Sequence, residues 1–351
     1  MKILVVFTGG TIGCSVQNGV LDVEKSGESD YYLISEYIRR SDFSGGRGSA
    51  VEFDTIEPLS VLSENMTIGT WNTLIEAFKA IDVEAYDSII VTHGSDTMAY
   101  TAQLFSFLLS GIQMPVFFIS SNYSLYDSRS DGHSNFADAV SLTEDKRLRG
   151  VFAVFKSKLF IASRIKQSMH FTDEYGTADG EVFAHIENGK LKESSKALNP
   201  EIASFGGINR KPLLYCIDKI RDNVLMLMPY VGLNYENIHL HQDIKAVLHG
   251  TYHSFTVCAD GENEFSFTSF ADRCRRTGVK LYLAPFKSRL AESGAVTYAS
   301  TTDVLKTGVS YVSDMCLESA YVKLLIAYSL YEDETEIQRF LNENVFFEMM
   351  E

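Results

Sequence analysis

The sequence predicts an α/β protein built around a mainly parallel sheet. Unbroken runs of apolar, β-branched and aromatic residues at Lys2–Phe7, Ser88–Thr92, Pro115–Ile119 and Gly150–Phe155 are typical of strands buried on both faces. Segments with helical periodicity lie between these runs, and strands that alternate with helices form parallel sheets. A second series of strands and helices follows further along the chain, which extends the same fold class to the C-terminal part.

The elements of the first series follow from the spacing of apolar residues. Apolar side chains from Trp71 to Ile81 fall on one helical face, and Thr67 in front of them is a suitable N-cap. Residues 101–109 are apolar nearly all round, which indicates a buried helix. A further strand is expected at 51–59.

The second series has the same alternation. Strands are expected at 223–228, 245–249 and 280–283, and helices at 265–276, 317–331 and 334–344. Residues 196–212 contain Asn-Pro and Gly-Gly steps with little periodicity, which is typical of a linker. We therefore expect an N-terminal domain of residues 1–195, a linker of 196–212 and a C-terminal domain of 213–351.

Composition limits the classes of partner. The formal net charge of -15 argues against nucleic acid, because a diffuse acidic surface repels phosphate backbones. No apolar run approaches the roughly 20 residues that span a bilayer. The five cysteines are far apart, odd in number and without a CxxC pair, so neither a disulfide framework nor a zinc site is expected. These features indicate a protein of the reducing cytoplasm.

A glycine-rich segment follows the first predicted strand directly. Residues 8–13 read TGGTIG, and glycines there let the backbone turn sharply and let a ligand approach closely. The segment has neither the GxGxxG spacing of a dinucleotide site nor the Gly-Lys-Ser/Thr of a P-loop. Ligands of open α/β sheets bind outside the carboxyl ends of strands, so Thr11 is a candidate site residue. A tight glycine turn with two solvated threonines and no catalytic role is equally compatible with these residues.

A second polar segment follows another predicted strand. Residues 93–102 read HGSDTMAYTA, so Gly94 permits close approach and Ser95 or Asp96 can cap the helix that follows. A carboxylate beside a hydroxyl at a helix N-terminus also suits a polar, zwitterionic ligand. His93 is more typical of a satisfied histidine at a strand end than of a catalytic base.

Three further segments carry polar side chains near predicted strand ends. Residues 60–67 (SVLSENMT), 130–135 (SDGHSN) and 164–166 (RIK) either reach the same pocket or serve as turns and caps. A lysine is usually a solvated surface charge, so Lys166 gains interest only if it is buried beside Asp96.

Together these segments resemble the asparaginase and glutaminase family. The resemblance rests on TGGTIG at 8–13 and THGSDTMAYTA at 92–102, with SENMT at 63–67, SDG at 130–132 and SDMCLESAYVKL at 313–324. It covers nearly the whole chain and is most similar to the cytoplasmic, type I branch. It implies two α/β domains, of which the larger N-terminal one holds the site at its strand ends.

The resemblance also implies catalytic roles. The family's nucleophile is the second threonine of the first motif, which corresponds to Thr11. A hydroxyl is a weak nucleophile until a base takes its proton, and the family's hydroxyl, aspartate and lysine for this task correspond to Ser95, Asp96 and Lys166. Attack would release ammonia and leave an acyl-enzyme that water hydrolyses, without a metal or organic cofactor.

The same loops would hold the substrate. The resemblance assigns this role to Gly10, Ser63, Glu64, Gly94, Ser95 and Asp96. The carboxylates of Glu64 and Asp96 suit an α-amino group. Backbone N–H groups around Gly94 and Ser95 suit an oxyanion. The family's smaller domain completes a neighbouring subunit's pocket, so a homodimer or homotetramer is expected.

The chain departs from the family pattern in its loops. Ser95 replaces the usual threonine, and residues 120–122 read SSN where the family has Thr-Gly-Ser. Val20 stands near the usual place of a loop tyrosine that activates the nucleophile. Tyr31 or Tyr32 would have to take over that task.

Two other departures concern the lysine and a loop of the second series. The spacing from Arg164 to Lys166 is one residue shorter than expected, so either a local bulge lets the lysine reach the site or the chemistry differs. Residues 249–254 read HGTYHS where the family often has a Gly-Asn-rich loop that is supplied to a neighbouring subunit.

Three functions are compatible with these residues. The leading one is hydrolysis of L-asparagine to L-aspartate, with glutaminase activity left open because one methylene changes binding by only about 1–3 kcal/mol. The second is the ammonia-supplying subunit of a tRNA-dependent amidotransferase. The extra N-terminal domain expected in that branch argues against this function, because the sequence starts directly at the catalytic strand. The third is a non-catalytic sensor of a small amino acid, which the departures favour and Thr11 and Asp96 oppose.

Overall fold

The structure, a computed structural model, describes residues 1–17, 19–23, 28–40, 50–194 and 198–350. These residues divide into two compact units, Met1–Lys219 and Ile220–Glu351. The linker predicted at 196–212 begins outside the described residues, and its part from residue 198 onward lies in the first unit. The domain limits at 195 and 213 stay a prediction.

The first unit is made of short strands joined by helices and turns. Its strands are β1 (Lys2–Phe7), β2 (Cys14–Gln17), β3 (Val20–Val23), β4 (Glu52–Ile56), β5 (Ser88–Thr92), β6 (Pro115–Ile119), β7 (Gly150–Phe155), β8 (Lys158–Ile161), β9 (Ile165–Met169), β10 (Glu174–Thr177), β11 (Ala184–Glu187) and β12 (Lys190–Glu193). Its helices are α1 (Glu28–Arg39), α2 (Ile68–Lys79), α3 (Met98–Leu108) and α4 (Gly132–Leu142).

An eight-stranded sheet forms the centre of this unit, in the order β12-β11-β8-β7-β6-β5-β1-β4. The five strands from β7 to β4 are parallel, as predicted, and the other three are antiparallel. The chain passes from β1 to β4 on one side and then returns to β5 on the other. The order therefore reverses at β1, and in open α/β sheets such a reversal opens a crevice at the carboxyl ends of the strands.

The three central parallel strands β5, β6 and β7 consist of residues that pack on both faces of the sheet. All residues of β5, β6 and β7 are buried, and they occupy the predicted bounds. Helix α2 begins after Thr67, whose hydroxyl accepts from the Thr70 N–H in a capping box, which confirms the predicted N-cap. Helix α3 is buried nearly all round, as its composition predicted.

The hairpins of this unit were not predicted. Strands β2 and β3 pair antiparallel just after the first glycine-rich segment, and β9 and β10 pair antiparallel further along the chain. Strand β12 has no fully buried residue, so it lacks the apolar alternation that marks a strand in sequence.

The second unit is a smaller α/β unit. Its strands are β13 (Val224–Leu227), β14 (Ala246–His249), β15 (Lys280–Phe286) and β16 (Ser310–Ser313), and its helices are α5 (Phe267–Thr277), α6 (Ala299–Lys306), α7 (Leu317–Leu330) and α8 (Glu334–Leu341). All four strands are parallel and lie in chain order. Within the described residues, no helix combines the length and the apolar content that a membrane crossing requires.

The same local arrangement ends one strand in each unit. In the first, His93 is fully buried and its Nδ1 donates to the carbonyl of Gly94 at 2.9 Å. In the second, the buried His249 donates in the same way to Gly250 at 2.6 Å, while its Nε2 lies 2.9 Å from the hydroxyl of Tyr235. The carbonyl can only accept, so Nδ1 carries the proton in both rings.

Candidate active site

The segments that follow β1 and β5 leave the sheet side by side. The two strands are parallel neighbours, with Phe7 opposite Thr92. The hydroxyl of Thr8 donates to the Thr92 carbonyl at 2.7 Å and joins the two strand ends. Both polar segments singled out in the sequence therefore begin at the point where the strand order reverses.

The segment after β1 makes a tight turn at two glycines and contacts the segment after β5. Gly9 and Gly10 have φ of +89° and +69°, which L-residues rarely adopt. The Gly10 N–H donates to the Val61 carbonyl at 2.8 Å, which attaches this turn to the segment after β4. A Cβ on Gly10 would lie 2.3 Å from the Gly94 nitrogen, so the two glycine backbones are in direct contact.

Thr11 stands at the start of the one-turn 3-10 helix Thr11–Gly13. Its side chain is half-buried, and among the residues that the structure describes its hydroxyl has no hydrogen-bond partner. The next residue, Ile12, is fully buried and anchors the turn. The thiol of buried Cys14 donates to the Gly10 carbonyl at 3.0 Å, so this cysteine supports the turn from within.

The predicted binding residues Ser63 and Asp96 are brought together. The Ser63 hydroxyl lies 3.2 Å from Oδ2 of Asp96 and accepts from the Asp96 N–H at 3.3 Å. Thr97 donates its hydroxyl to the Ser63 carbonyl at 2.8 Å. A Cβ on Gly94 would lie 2.5 Å from Ser63 Oγ, so only glycine fits between these segments. Three separate stretches of chain thus meet next to Gly10, the residue before Thr11.

The β9–β10 hairpin reaches the same segment from another side. The side-chain amide of Gln167 donates to the Asp96 carbonyl at 3.1 Å, and the Tyr175 hydroxyl donates to the Ser95 carbonyl at 3.0 Å. Burial raises the pKa of Tyr175 above its usual range, so its phenol stays protonated and able to donate. Neither residue was among the predicted site residues.

Comparison with known proteins decides the family. A family model described as "Asparaginase, N-terminal" matches residues 2–198. The chain belongs to the asparaginase family. It is an amidohydrolase, and the family predicted from its motifs is confirmed.

Individual relatives extend the likeness to the whole chain. L-asparaginase 1 of Escherichia coli strain K12 is 26% identical over 353 residues, which cover 98% of this chain and 96% of that protein. A glutamyl-tRNA(Gln) amidotransferase subunit of Methanosphaera stadtmanae is 23% identical over 359 residues, with 98% of this chain and 76% of that protein covered.

A solved structure shows the same fold. The structure of the thermostable L-asparaginase from Thermococcus kodakarensis covers 100% of both chains with a TM-score of 0.77 at 22% identity. The predicted two-domain, asparaginase-like α/β fold is thereby confirmed.

Two residues that the family pattern assigns to the site have no described hydrogen bond or ion pair with it. Lys166 and Glu64 are exposed, and neither side chain forms a hydrogen bond or ion pair with any residue in the described part of the chain. The structure therefore does not pair Lys166 with Asp96, and the roles of Lys166 and Glu64 stay predictions. No cluster of histidine, cysteine and acidic side chains suited to a metal ion occurs among the described residues.

The residues at the place of the asparaginase loop tyrosine are now located. Val20 lies on β3 with 64% of its surface exposed, and Tyr31 is 75% exposed on α1. Tyr32 stacks on Tyr126 with ring centroids 5.0 Å apart. Asn18, in the same loop, falls outside the described residues. Among the described residues, no hydrogen bond joins Tyr31 or Tyr32 to Thr11.

The altered turn after β6 is held by the Ser-Asp-Gly motif. Oδ1 of Asp131 accepts from the hydroxyl of Ser121 and from the N–H of Asn122, both at 2.8 Å. Ser120 lies 3.0 Å from the Tyr175 hydroxyl. The turn that lacks the family's glycine therefore supports the hairpin tyrosine.

The glycine contact predicts the effect of one methyl group. Gly10→Ala is expected to lower the free energy of unfolding by about 1–3 kcal/mol, because φ of +69° strains any L-residue and the new Cβ meets the Gly94 backbone. Urea denaturation measures this loss. Gly13→Ala is the matched control, since its Cβ would meet nothing within 4 Å. Equal stabilities of the two variants would contradict the contact.

The buried histidines predict a loss of stability below pH 6.5. Burial lowers the pKa of His93 to about 4 and that of His249 to about 4, from 6.5. Between these values the unfolded chain binds a proton that the folded chain excludes, so stability falls as the pH falls. Each ring is expected to cost about 2 kcal/mol by pH 5.

The control removes one ring. Burial raises the pKa of Asp138 to about 6, which acts in the opposite sense over the same range. His249→Gln keeps that contribution, so the difference in urea stability between pH 7 and pH 5 should shrink by about 2 kcal/mol in this variant. An unchanged difference would rule out the assignment to His249.

Proposed function

We propose that the protein hydrolyses L-asparagine to L-aspartate and ammonia through an acyl-enzyme on Thr11. The observation that carries the proposal is the contact of Gly10 with Gly94, which sets the Thr11 turn against the Ser95–Asp96 segment at the reversal of strand order. Ligands of such sheets bind at this point. The Thr11 hydroxyl has no hydrogen-bond partner among the described residues, so no described side chain has to be displaced before it meets a substrate.

The reaction has two steps. The Thr11 oxygen attacks the carboxamide carbon, the carbon–nitrogen bond breaks and ammonia leaves, after which water hydrolyses the ester. Backbone N–H groups around Gly94 and Ser95 are the proposed donors to the oxyanion. Ser95 and Asp96 are the proposed groups for the proton of Thr11. Lys166, predicted as a third member, has no step in this mechanism because its exposed side chain has no described hydrogen bond or ion pair.

The proposed substrate is a small zwitterion. Ser63 and Asp96 already contact each other, and Asp96 is exposed toward solvent. A carboxylate at Asp96, with that of Glu64, suits an α-amino group, whereas the Ser63 hydroxyl is the proposed donor to an α-carboxylate. The N–H of Gly10 is bonded to the Val61 carbonyl, so Gly10 contributes close backbone approach rather than a donor.

Two alternatives concern the same site. Glutamine differs from asparagine by one methylene, which a pocket discriminates by about 1–3 kcal/mol. The similarity to an amidotransferase component supports release of ammonia to a partner, although this chain spans 76% of that relative. A third alternative is an amino acid sensor without turnover, which the absence of a described lysine contact favours.

The proposed setting follows from the cysteines and the family. None of the five cysteines, all of which are among the described residues, forms a disulfide, and this suits a reducing cytoplasm. A homodimer or homotetramer is proposed because the family completes its pocket from a neighbouring subunit.

The deciding experiment is ammonia release by the purified chain from L-asparagine and from L-glutamine. We expect release from asparagine at a higher kcat/KM than from glutamine. The reverse order would make the protein a glutaminase. Stabilisation by one amino acid in a thermal-shift scan, without any release, would support the sensor.

A further inference from the structure

The β9–β10 hairpin contains a bulge at Gln167. Tyr175 pairs with Ser168 and Gly176 pairs with Lys166, so Gln167 is the extra residue between two paired positions. Bulges next to active sites turn a side chain away from its regular direction. Both Lys166 and Gln167 are exposed, but only the Gln167 side chain has a described hydrogen bond to the Ser95–Asp96 segment.

Two donors of this hairpin hold consecutive carbonyl groups. Tyr175 donates to the carbonyl of Ser95, and Gln167 donates to the carbonyl of Asp96. The N–H of Asp96 is bonded to Ser63 Oγ. The peptide between Ser95 and Asp96 is therefore fixed at its oxygen and at its nitrogen.

The Tyr175 side chain and the backbone of β9 are themselves held in place. Tyr175 is 5% exposed, packs edge-on against Phe155 with ring centroids 5.0 Å apart, and has Ser120 as a second partner at 3.0 Å. Strand β9 is tied to helix α3 where the side-chain amide of Gln103 donates to the carbonyl of Ile165 at 2.5 Å. Because the hairpin is attached to the core, its hydrogen bonds fix the segment that carries Ser95 relative to the core.

We infer that Gln167 and Tyr175 are positioning residues of this amidohydrolase, which hold the Ser95 hydroxyl and the Asp96 carboxylate in register with Thr11. The inference rests on the proposed function. Gln167, not Lys166, is the β9 residue that acts on the segment. A glutamine amide takes up no proton at neutral pH, so its task is to donate a hydrogen bond. Misplacement of a reacting group by about 1 Å can cost about 100-fold in rate.

The test separates donation from bulk. Gln167→Met removes the donor at similar length, and Tyr175→Phe removes only the hydroxyl. Each is expected to lower kcat for ammonia release about tenfold with a smaller change in KM. Gln167→Lys restores a donor and should recover kcat to within about threefold of the wild type. A Lys variant no better than the Met variant would overturn the role as a donor.

Two comparisons complete the test. Met169→Ala lies on the same strand, is half exposed and makes no described contact with the segment, so it should behave as the wild type. Lys166→Met should lower kcat less than Gln167→Met does. A larger loss at Lys166 would overturn the inference.

Hydrogen exchange distinguishes failure of this inference from failure of the proposed function. Without any ammonia release by the wild type, the proposed function fails, but exchange still reports on the segment. Amides of residues 96–98 should exchange about tenfold faster in Gln167→Met and Tyr175→Phe than in the wild type and Met169→Ala. Equal exchange in all four proteins would overturn the positioning role.

Discussion

Thr11→Ala is expected to lower kcat for ammonia release by about 10⁴-fold or more, because it removes the proposed nucleophile. The change deletes one half-buried side chain that has no described hydrogen bond, so the fold should be preserved. Ammonia release under saturating asparagine measures the rate, and the thermal midpoint of the variant should match that of the wild type.

A conservative variant makes this result specific. Thr11→Ser keeps the hydroxyl and loses the methyl group, so it should retain far more activity than Thr11→Ala. If the alanine variant kept more than a few per cent of the activity with its fold intact, Thr11 would not be the nucleophile. The hydroxyl of Ser95 would then be the next candidate, since Ser95 directly follows Gly94, which contacts Gly10.

Lys323→Met is expected to lower the free energy of unfolding by about 3–5 kcal/mol, because it leaves a buried carboxylate without its cation. Lys323 and Glu348 form an ion pair of 2.6 Å in which both side chains are fully buried. Lys323 also donates to the carbonyls of Leu341 and Glu343 and so joins helix α7 to the last residue of α8 and to the segment that follows it. Urea denaturation of the purified variant measures the loss.

The double variant isolates the unpaired charge. Lys323→Met combined with Glu348→Gln removes both charges and keeps one of the two oxygens that accept from the N–H groups of Val345 and Phe346. It should regain part of the lost stability. Lys306→Met, which breaks an exposed pair with Asp303, should leave stability unchanged. A double variant as unstable as the single one would show that the loss has another cause.

The sequence predicts the sheet well where strands are buried on both faces. Residues of β5, β6 and β7 are apolar almost without interruption, and such runs have few alternatives to a central parallel strand. Thr67 was recognisable as an N-cap because its local hydrogen bonds depend on neighbours three residues away. These elements are specified locally, so a single sequence suffices.

The hairpins and the site contacts depend on distant residues. Gln167 meets Asp96 across 71 positions of the chain, and Tyr175 meets Ser95 across 80. Neither side chain differs in sequence from an ordinary surface or core residue. The short spacing from Arg164 to Lys166 was the available signal, since it called for a bulge, but it did not reveal which residue the bulge would present.

The histidine arrangement at the two strand ends bears on how rate profiles of this enzyme are interpreted. Burial keeps the pKa of both His93 and His249 near 4, so neither ring changes its charge between pH 6 and pH 8. A bend in log kcat within that interval belongs to a different group, such as the amine of the substrate or a group on the site loops. His93 is thus a neutral part of the scaffold in this pH range. Its position next to the second motif does not make it the group whose titration controls turnover.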